Sequence, residues 1–190
     1  PILGMIGGFV FFTIVMWIFR KRNPNKINKW FKRLQLISAT SYAVTHGTND
    51  AQKTMGIIAL LLFTAGFLGE EFYVPFWVVL SSHAAIALGT FFGGWRVIKT
   101  MGMKLTKLKP VHGFCAESAG SLVLGFTSMT GIPVSTTHVI AGSIAGVGVT
   151  RRLSAVRWGL ARNIVWAWIL TIPAAATVSG VSYFVISLFI

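Results

Sequence analysis

Acidic residues are nearly missing from this 190-residue chain: four Asp and Glu stand against 17 Lys and Arg. Charge of either sign is scarce, at 11% of residues, where a soluble domain carries about 25% to solvate its surface. With a mean hydropathy of +0.72, that scarcity excludes an ordinary soluble domain. Cysteine occurs once, at Cys115. A single thiol excludes a disulfide scaffold and a cysteine-based zinc cluster, and Cys115 reads as a small buried apolar residue. Disorder is excluded by the abundance of Leu, Ile, Val and Phe. No nucleophile–base pair and no metal-ligand spacing of His or Cys is visible, so neither an enzyme nor a cofactor is expected.

What is present is a series of apolar runs, at 2–19, 34–69, 74–92, 110–149 and 163–190. A membrane-spanning helix needs about 20 apolar residues, so the predicted class is an all-α integral membrane protein. The basic residues sit between the runs. Sixteen of the 17 fall in three segments: Arg20 to Arg33, Arg96 to Lys109, and Arg151 to Arg162. Lys and Arg accumulate in cytoplasmic loops. Basic loops at 20–33, 96–109 and 150–158 are therefore predicted on the cytoplasmic side of a multi-pass protein of the cell (inner) membrane. Residues 1–190 are read as a single transmembrane domain. Trp30 and Phe31 lie among the first set of lysines, and a membrane-surface helix is favoured there over nucleic-acid binding.

Two runs are too long for one simple crossing. The 36 residues of 34–69 would make about 54 Å of straight helix, so a break near His46-Gly47-Thr48-Asn49-Asp50 is predicted. The 110–149 run begins and ends on the basic side and is predicted to be a hairpin or re-entrant pair. Irregular backbone at membrane depth is tolerated only where protein buries it or where it lines a cavity.

Both breaks are polar. The first continues as Ala51-Gln52-Lys53-Thr54. A carboxylate at bilayer depth costs about 2.5–3.5 kcal/mol on insertion scales, so Asp50 calls for a cation, a proton or a partner. Thr48, Asn49 and Asp50 with freed carbonyls would suit a hard cation. A half-helix opening at Gln52 and Lys53 would attract an anion through its amides and dipole. The plain alternative is that Asp50 and Lys53, three residues apart, pair with each other. The second break is Gly131-Ile132-Pro133-Val134-Ser135-Thr136-Thr137-His138. Ser135 or Thr136 is a natural N-cap, and the hydroxyls of Ser135, Thr136 and Thr137 offer donors to a tetrahedral oxyanion. Plain capping explains the same residues equally well. Gly142, Gly146 and Gly148 form a small-residue face for close packing. Glu117 is either a proton or cation site or a carboxylate satisfied by a neighbouring hydroxyl. His83 and His112 read as structural. His46 and His138 flank the breaks. Two discontinuous helices, one offering cation ligands and one offering anion donors, are the parts of a secondary transporter's central site.

At these residues the chain resembles the PiT family of inorganic phosphate transporters, bacterial type. His46 to Gly56, HGTNDAQKTMG, resembles the second of that family's two Gly-x-Asn-Asp signatures. GIPVSTTH at 131–138 resembles its Pro-x-Ser-Thr-Thr-His signature, and residues 151–175 resemble the bacterial members. The resemblance implies a cation-coupled symporter of inorganic phosphate, driven by H⁺ or Na⁺ and built from two inverted-topology repeats. It implies cation binding at Thr48, Asn49 and Asp50, with Na⁺ at Asn49 and Asp50 if Na⁺ is the coupling ion. It implies phosphate binding at Gln52, Lys53, Ser135, Thr136 and Thr137, and coupling through Glu117. Only one copy of each signature is present and the first residue is Pro1, so the expectation is the C-terminal half of an inverted-repeat transporter. The expected partners are inorganic phosphate, the lipid bilayer and the missing N-terminal repeat, with a homodimer left open and no nucleic acid. The alternatives are a transporter of another tetrahedral oxyanion such as sulfate, and a non-transporting membrane scaffold subunit.

Overall fold

The computed structural model describes residues 1–189, with Pro24, Asn25 and Arg96 described by their backbone alone. Ile190, the end of the last predicted span, and the Arg96 side chain of the second basic segment lie outside the described residues. Six α-helices follow in order: α1 (Ile2–Phe19), α2 (Pro24–Thr64), α3 (Phe76–Ile98), α4 (Pro110–Met129), α5 (Thr136–Arg151) and α6 (Trp158–Ser187). A π-helical stretch, Lys99–Leu105, prolongs α3, and a single 3₁₀ turn, Leu153–Ala155, follows α5. Among the described residues three helical stretches are long and apolar enough to cross a membrane: Ile2–Phe19, Phe76–Leu105 and Trp158–Ser187.

Proline and glycine set most of the boundaries. Pro24 and Pro110 open α2 and α4, where a missing N–H costs nothing and the fixed φ suits a first turn. Pro75 precedes α3, and its carbonyl accepts from the Val78 and Val79 amides at 2.9 and 3.3 Å. Helix α2 ends on Gly66, whose φ is +79°. The Phe67 amide there reaches the Leu62 carbonyl at 2.9 Å, and the Gly66 amide reaches that of Phe63 at 3.0 Å. Helix α4 ends in the same way on Gly131, φ +70°, with Ile132 N–H on the Thr127 carbonyl at 2.9 Å. Both are Schellman caps, which need a left-handed residue that glycine adopts without strain.

The predicted break at 46–50 is absent. Residues 24–64 form one helix of 41 residues, about 60 Å long. No proline lies between Pro24 and Pro75, and among the described residues positive φ is confined to Gly66, Gly69 and Gly131. A lone Gly47 inside a helix costs only about 0.5–1 kcal/mol, which packing of α2 on its neighbours outweighs. The second predicted break is present, as the α4–α5 hairpin. The 20–33 and 96–109 segments are less loop-like than predicted: the first is helical from Pro24 and the second through Leu105.

The chain forms two compact units by contact, residues 1–156 and the remainder from Arg157, where the sequence reading has one domain. In the first unit α1 packs chiefly on α5 and α2 chiefly on α4, with α4 and α5 against each other. The α1–α5 pair runs parallel and is built on glycine. A Cβ at Gly8 would strike the Ser143 backbone, and one at Gly146 would strike the Met5 carbonyl and lie 3.0 Å from the Phe9 amide. Gly4 and Gly142 interlock in the same manner. Small residues four apart let two backbones touch, and dispersion and close contact then hold the helices in a solvent as apolar as their side chains. The second unit is α6, which contains Pro173 and buries none of its residues.

Two substitutions test these statements. Gly8→Val is expected to lower the thermal midpoint of the purified protein, because overpacking against backbone costs about 1–3 kcal/mol. Gly47→Ala is expected to leave the midpoint unchanged or raise it, since nothing lies within 4 Å of the added methyl and alanine favours a continuous helix. A clear loss for Gly47→Ala would contradict the unbroken α2.

Candidate functional site

The face of α2 that meets α4 is polar. Gln35, Ser38, Tyr42, Thr45 and Asn49 recur at spacings of three and four, the period of a seam between two helices. Their partners on α4 advance in step. Gln35 lies over Gly113, and the Tyr42 ring lies over Gly120, with 3.0 Å between its nearest carbon and the place a Cβ would take. Ser38 Oγ donates to Glu117 Oε2 at 2.6 Å, and Gln35 also hydrogen-bonds the Glu117 carboxylate. Asn49 Nδ2 donates to Ser128 Oγ at 2.9 Å. The two helices therefore run parallel, and the seam carries polar groups from the basic end to the tip of the α4–α5 hairpin.

At that tip the seam ends on Asp50. Its Oδ2 accepts from Thr136 Oγ1 at 3.0 Å and lies 3.1 Å from His46 Nε2. Its Oδ1 lies 3.1 Å from Lys53 Nζ. The Lys53 ammonium also donates to the Val134 carbonyl at 2.6 Å, so it ties the carboxylate to the turn of the hairpin. Tyr42 OH donates to the Thr136 carbonyl at 3.2 Å, and its ring stacks on His46 with centroids 6.1 Å apart. Thr136 is 2% exposed and Asn49 4%. Ser135 is the N-cap of α5, its Oγ accepting from the His138 amide at 3.4 Å. The 16 residues of α5 rise about 24 Å, less than the ~30 Å of a hydrocarbon core. A turn at its N-terminus lies inside that core when Arg151 sits at the surface. Beside it is a cavity of about 220 Å³ lined by Asn49, Gln52, Lys53, Ser128 and the turn residues Gly131 to Pro133. Irregular backbone here borders a cavity that includes polar side chains, as a membrane interior requires.

The structure brings together Asn49, Asp50, Gln52, Lys53, Ser135 and Thr136. It does not bring in Thr48 or Thr137, both exposed, or Glu117, which lies farther along the seam with Ser38. Two expectations are corrected. Because α2 is unbroken, Gln52 and Lys53 head no half-helix, and the backbone amides there are committed to the helix. One helix N-terminus, that of α5, faces the site instead of two. For the same reason the carbonyls around Asn49 are not freed for a cation. The paired alternative for Asp50 and Lys53 is realised, with His46 and Thr136 added to it. His83 and His112 are structural: His83 Nδ1 lies 2.8 Å from the Val79 carbonyl, and His112 Nδ1 accepts from the Lys109 amide at 2.9 Å. Sequence reasoning missed Gln35, Ser38, Tyr42 and Ser128. The three-four spacing of 35, 38, 42, 45 and 49 carries that information once the helix is taken as continuous.

Fold and site together define an α-helical membrane protein with a half-buried carboxylate at the tip of a helical hairpin. The sequence profile of the phosphate transporter family matches residues 1–179, and the chain belongs to that family. It is 57% identical over 184 residues to a Rhizobium meliloti protein named "Probable low-affinity inorganic phosphate transporter", covering 97% of this chain and 55% of that one. A Bacillus subtilis protein of the same name is 42% identical over 188 residues, covering 99% and 56%. A solved structure titled "The sodium-dependent phosphate transporter" superposes with a TM-score of 0.78 at 31% identity, over 94% of this chain and 46% of that one. The chain thus spans about half the length of the relatives it matches.

Ser38→Ala and Asn49→Ala are each expected to lower the thermal midpoint in detergent. Each removes a seam hydrogen bond worth about 1 kcal/mol and takes a donor from a half-buried partner. Unchanged midpoints in both would mean the seam is not a structural contact.

Proposed function

We propose that this chain is the C-terminal half of a secondary transporter that carries inorganic phosphate across the cell (inner) membrane together with H⁺ or Na⁺. The carrying observation is the Asp50 cluster: a half-buried carboxylate held between α2 and the N-terminus of α5, whose partner Lys53 lines a cavity. The three basic segments face the cytoplasm in this reading, by the positive-inside bias. The sodium dependence named for the structural neighbour favours Na⁺ as the coupling ion. Transport, not catalysis, is the role assigned.

The chemistry follows from charge. In this structure Lys53 neutralises Asp50 Oδ1 and is held by the Val134 carbonyl. A coupling cation competes with Lys53 for that carboxylate. Once displaced, the ammonium carries an uncompensated charge beside the cavity and the α5 N-terminus, where a tetrahedral anion gains from both. Phosphate alone would face a carboxylate at low dielectric, and cation alone would leave Lys53 unpaired. Either ligand therefore improves the site for the other. Asn49, Gln52 and the hydroxyls of Ser135 and Thr136 supply neutral ligands. Rocking of one repeat against the other then moves both ligands by alternating access. Sulfate has the same shape, and arsenate but not sulfate competing for uptake separates the two readings.

Uptake of labelled phosphate into vesicles holding the full-length transporter, under separate Na⁺ and pH gradients, tests the proposal. Asp50→Asn is expected to abolish coupled uptake. Full uptake with unchanged cation dependence would overturn the assignment. Thr136→Val is expected to shift the cation dependence at least as much as the apparent phosphate affinity, because its hydroxyl engages Asp50. A change in phosphate affinity alone would place that hydroxyl in an anion cradle instead.

A further inference from the structure

A second cavity of the first unit lies away from Asp50, where the C-termini of α1 and α5 meet the N-termini of α2 and α4. It holds about 450 Å³. Its wall along α1 is apolar, formed by Phe12, Val15, Met16 and Phe19. Its mouth carries four cations, Arg20, Arg22, Lys109 and Arg151, and no acidic residue lines it. These four come from three separate stretches of chain, so the local sequence does not show them as a cluster. Every ion pair found among the described residues involves Asp50, so no carboxylate neutralises these cations there. Arg20 lies over the Trp17 ring, 5.6 Å from its centroid. That contact fits a side chain reaching from an apolar wall to the headgroup level.

We propose that this groove is a binding site for an anionic glycerophospholipid. The headgroup phosphate sits among the four cations, and an acyl chain lies along the α1 wall. Charge complementarity commits the site to that occupant. A free phosphate would use the cations and leave the apolar wall wet, whereas a zwitterionic lipid would use the wall and bring its own cation into a cluster of four. A protein segment filling the groove would have to supply carboxylates, and none of the acids of this chain lines it. Basic pockets between helices on the cytoplasmic side recognise anionic headgroups by this combination. The site is independent of what the transporter carries.

The test is native mass spectrometry of the full-length transporter released from nanodiscs of mixed phosphatidylglycerol and phosphatidylcholine. The wild-type protein is expected to retain phosphatidylglycerol preferentially. Each cation near an anionic headgroup contributes about fivefold in affinity. Arg20→Gln with Arg151→Gln is therefore expected to reduce that preference roughly twenty-fold. Lys104→Gln with Lys107→Gln removes the same charge outside the groove and is expected to leave the preference intact. Equal losses in both pairs would reduce the effect to general surface charge and overturn the proposal. Displacement of the lipid by inorganic phosphate would reassign the groove to the free ion. Retention unaffected by the Arg20 and Arg151 changes would show that another part of the full-length chain covers it.

Discussion

A carboxylate at bilayer depth is the constraint on which this structure turns. Asp50 would cost several kcal/mol there if it stood alone. It is held by four groups from three parts of the chain: His46 and Lys53 on its own helix, Thr136 on α5, and through Lys53 the carbonyl of Val134 in the α4–α5 turn. Thr136 and Val134 can reach it only because the α4–α5 hairpin turns back at that depth. The hairpin can turn there because Gly131 adopts a left-handed conformation and Ser135 caps the next helix. The polar seam of α2 brings the carboxylate to that point, with Gln35, Ser38 and Asn49 satisfied against α4 on the way.

Around this centre the packing follows the rules of a solvent that gives no hydrophobic drive. Helices α1 and α5 approach through glycines on both partners, so that backbone touches backbone. Helices α2 and α4 approach through hydrogen bonds and through aromatic rings laid over glycine. The two parallel pairs share the hairpin, since α4 belongs to one and α5 to the other. A displacement of α5 against α2 would change the environment of Asp50 directly.

Charge also organises the opposite end. With four acids in the chain and two of them inside the seam or at its tip, the basic segments have no internal carboxylates to pair with. Where they converge over an apolar wall they form a site shaped for an anionic amphiphile. Along α2 and the π-helical stretch they are spread out instead. One compositional bias thus has two structural outcomes, decided by whether the cations meet over an apolar wall or stay dispersed.

The sequence by itself determined the membrane class, the apolar helices, the second break and the family. These rest on local facts: run length against bilayer thickness, proline and glycine at helix ends, and motifs read in order. Residues 46–50 were misread because polarity was taken as a sign of broken backbone. Five low-propensity residues cost a helix little when their side chains find partners across a seam, and a proline-free stretch from Asn25 to Val74 was the better guide. Tertiary structure alone decided that Lys53 bridges Asp50 to Val134, that Thr136 faces the carboxylate, and that Arg20, Lys109 and Arg151 share one groove. Those partners lie 81, 86 and up to 131 residues apart. No periodicity or spacing encodes such a pairing; it follows from which helix faces become neighbours once the chain is folded.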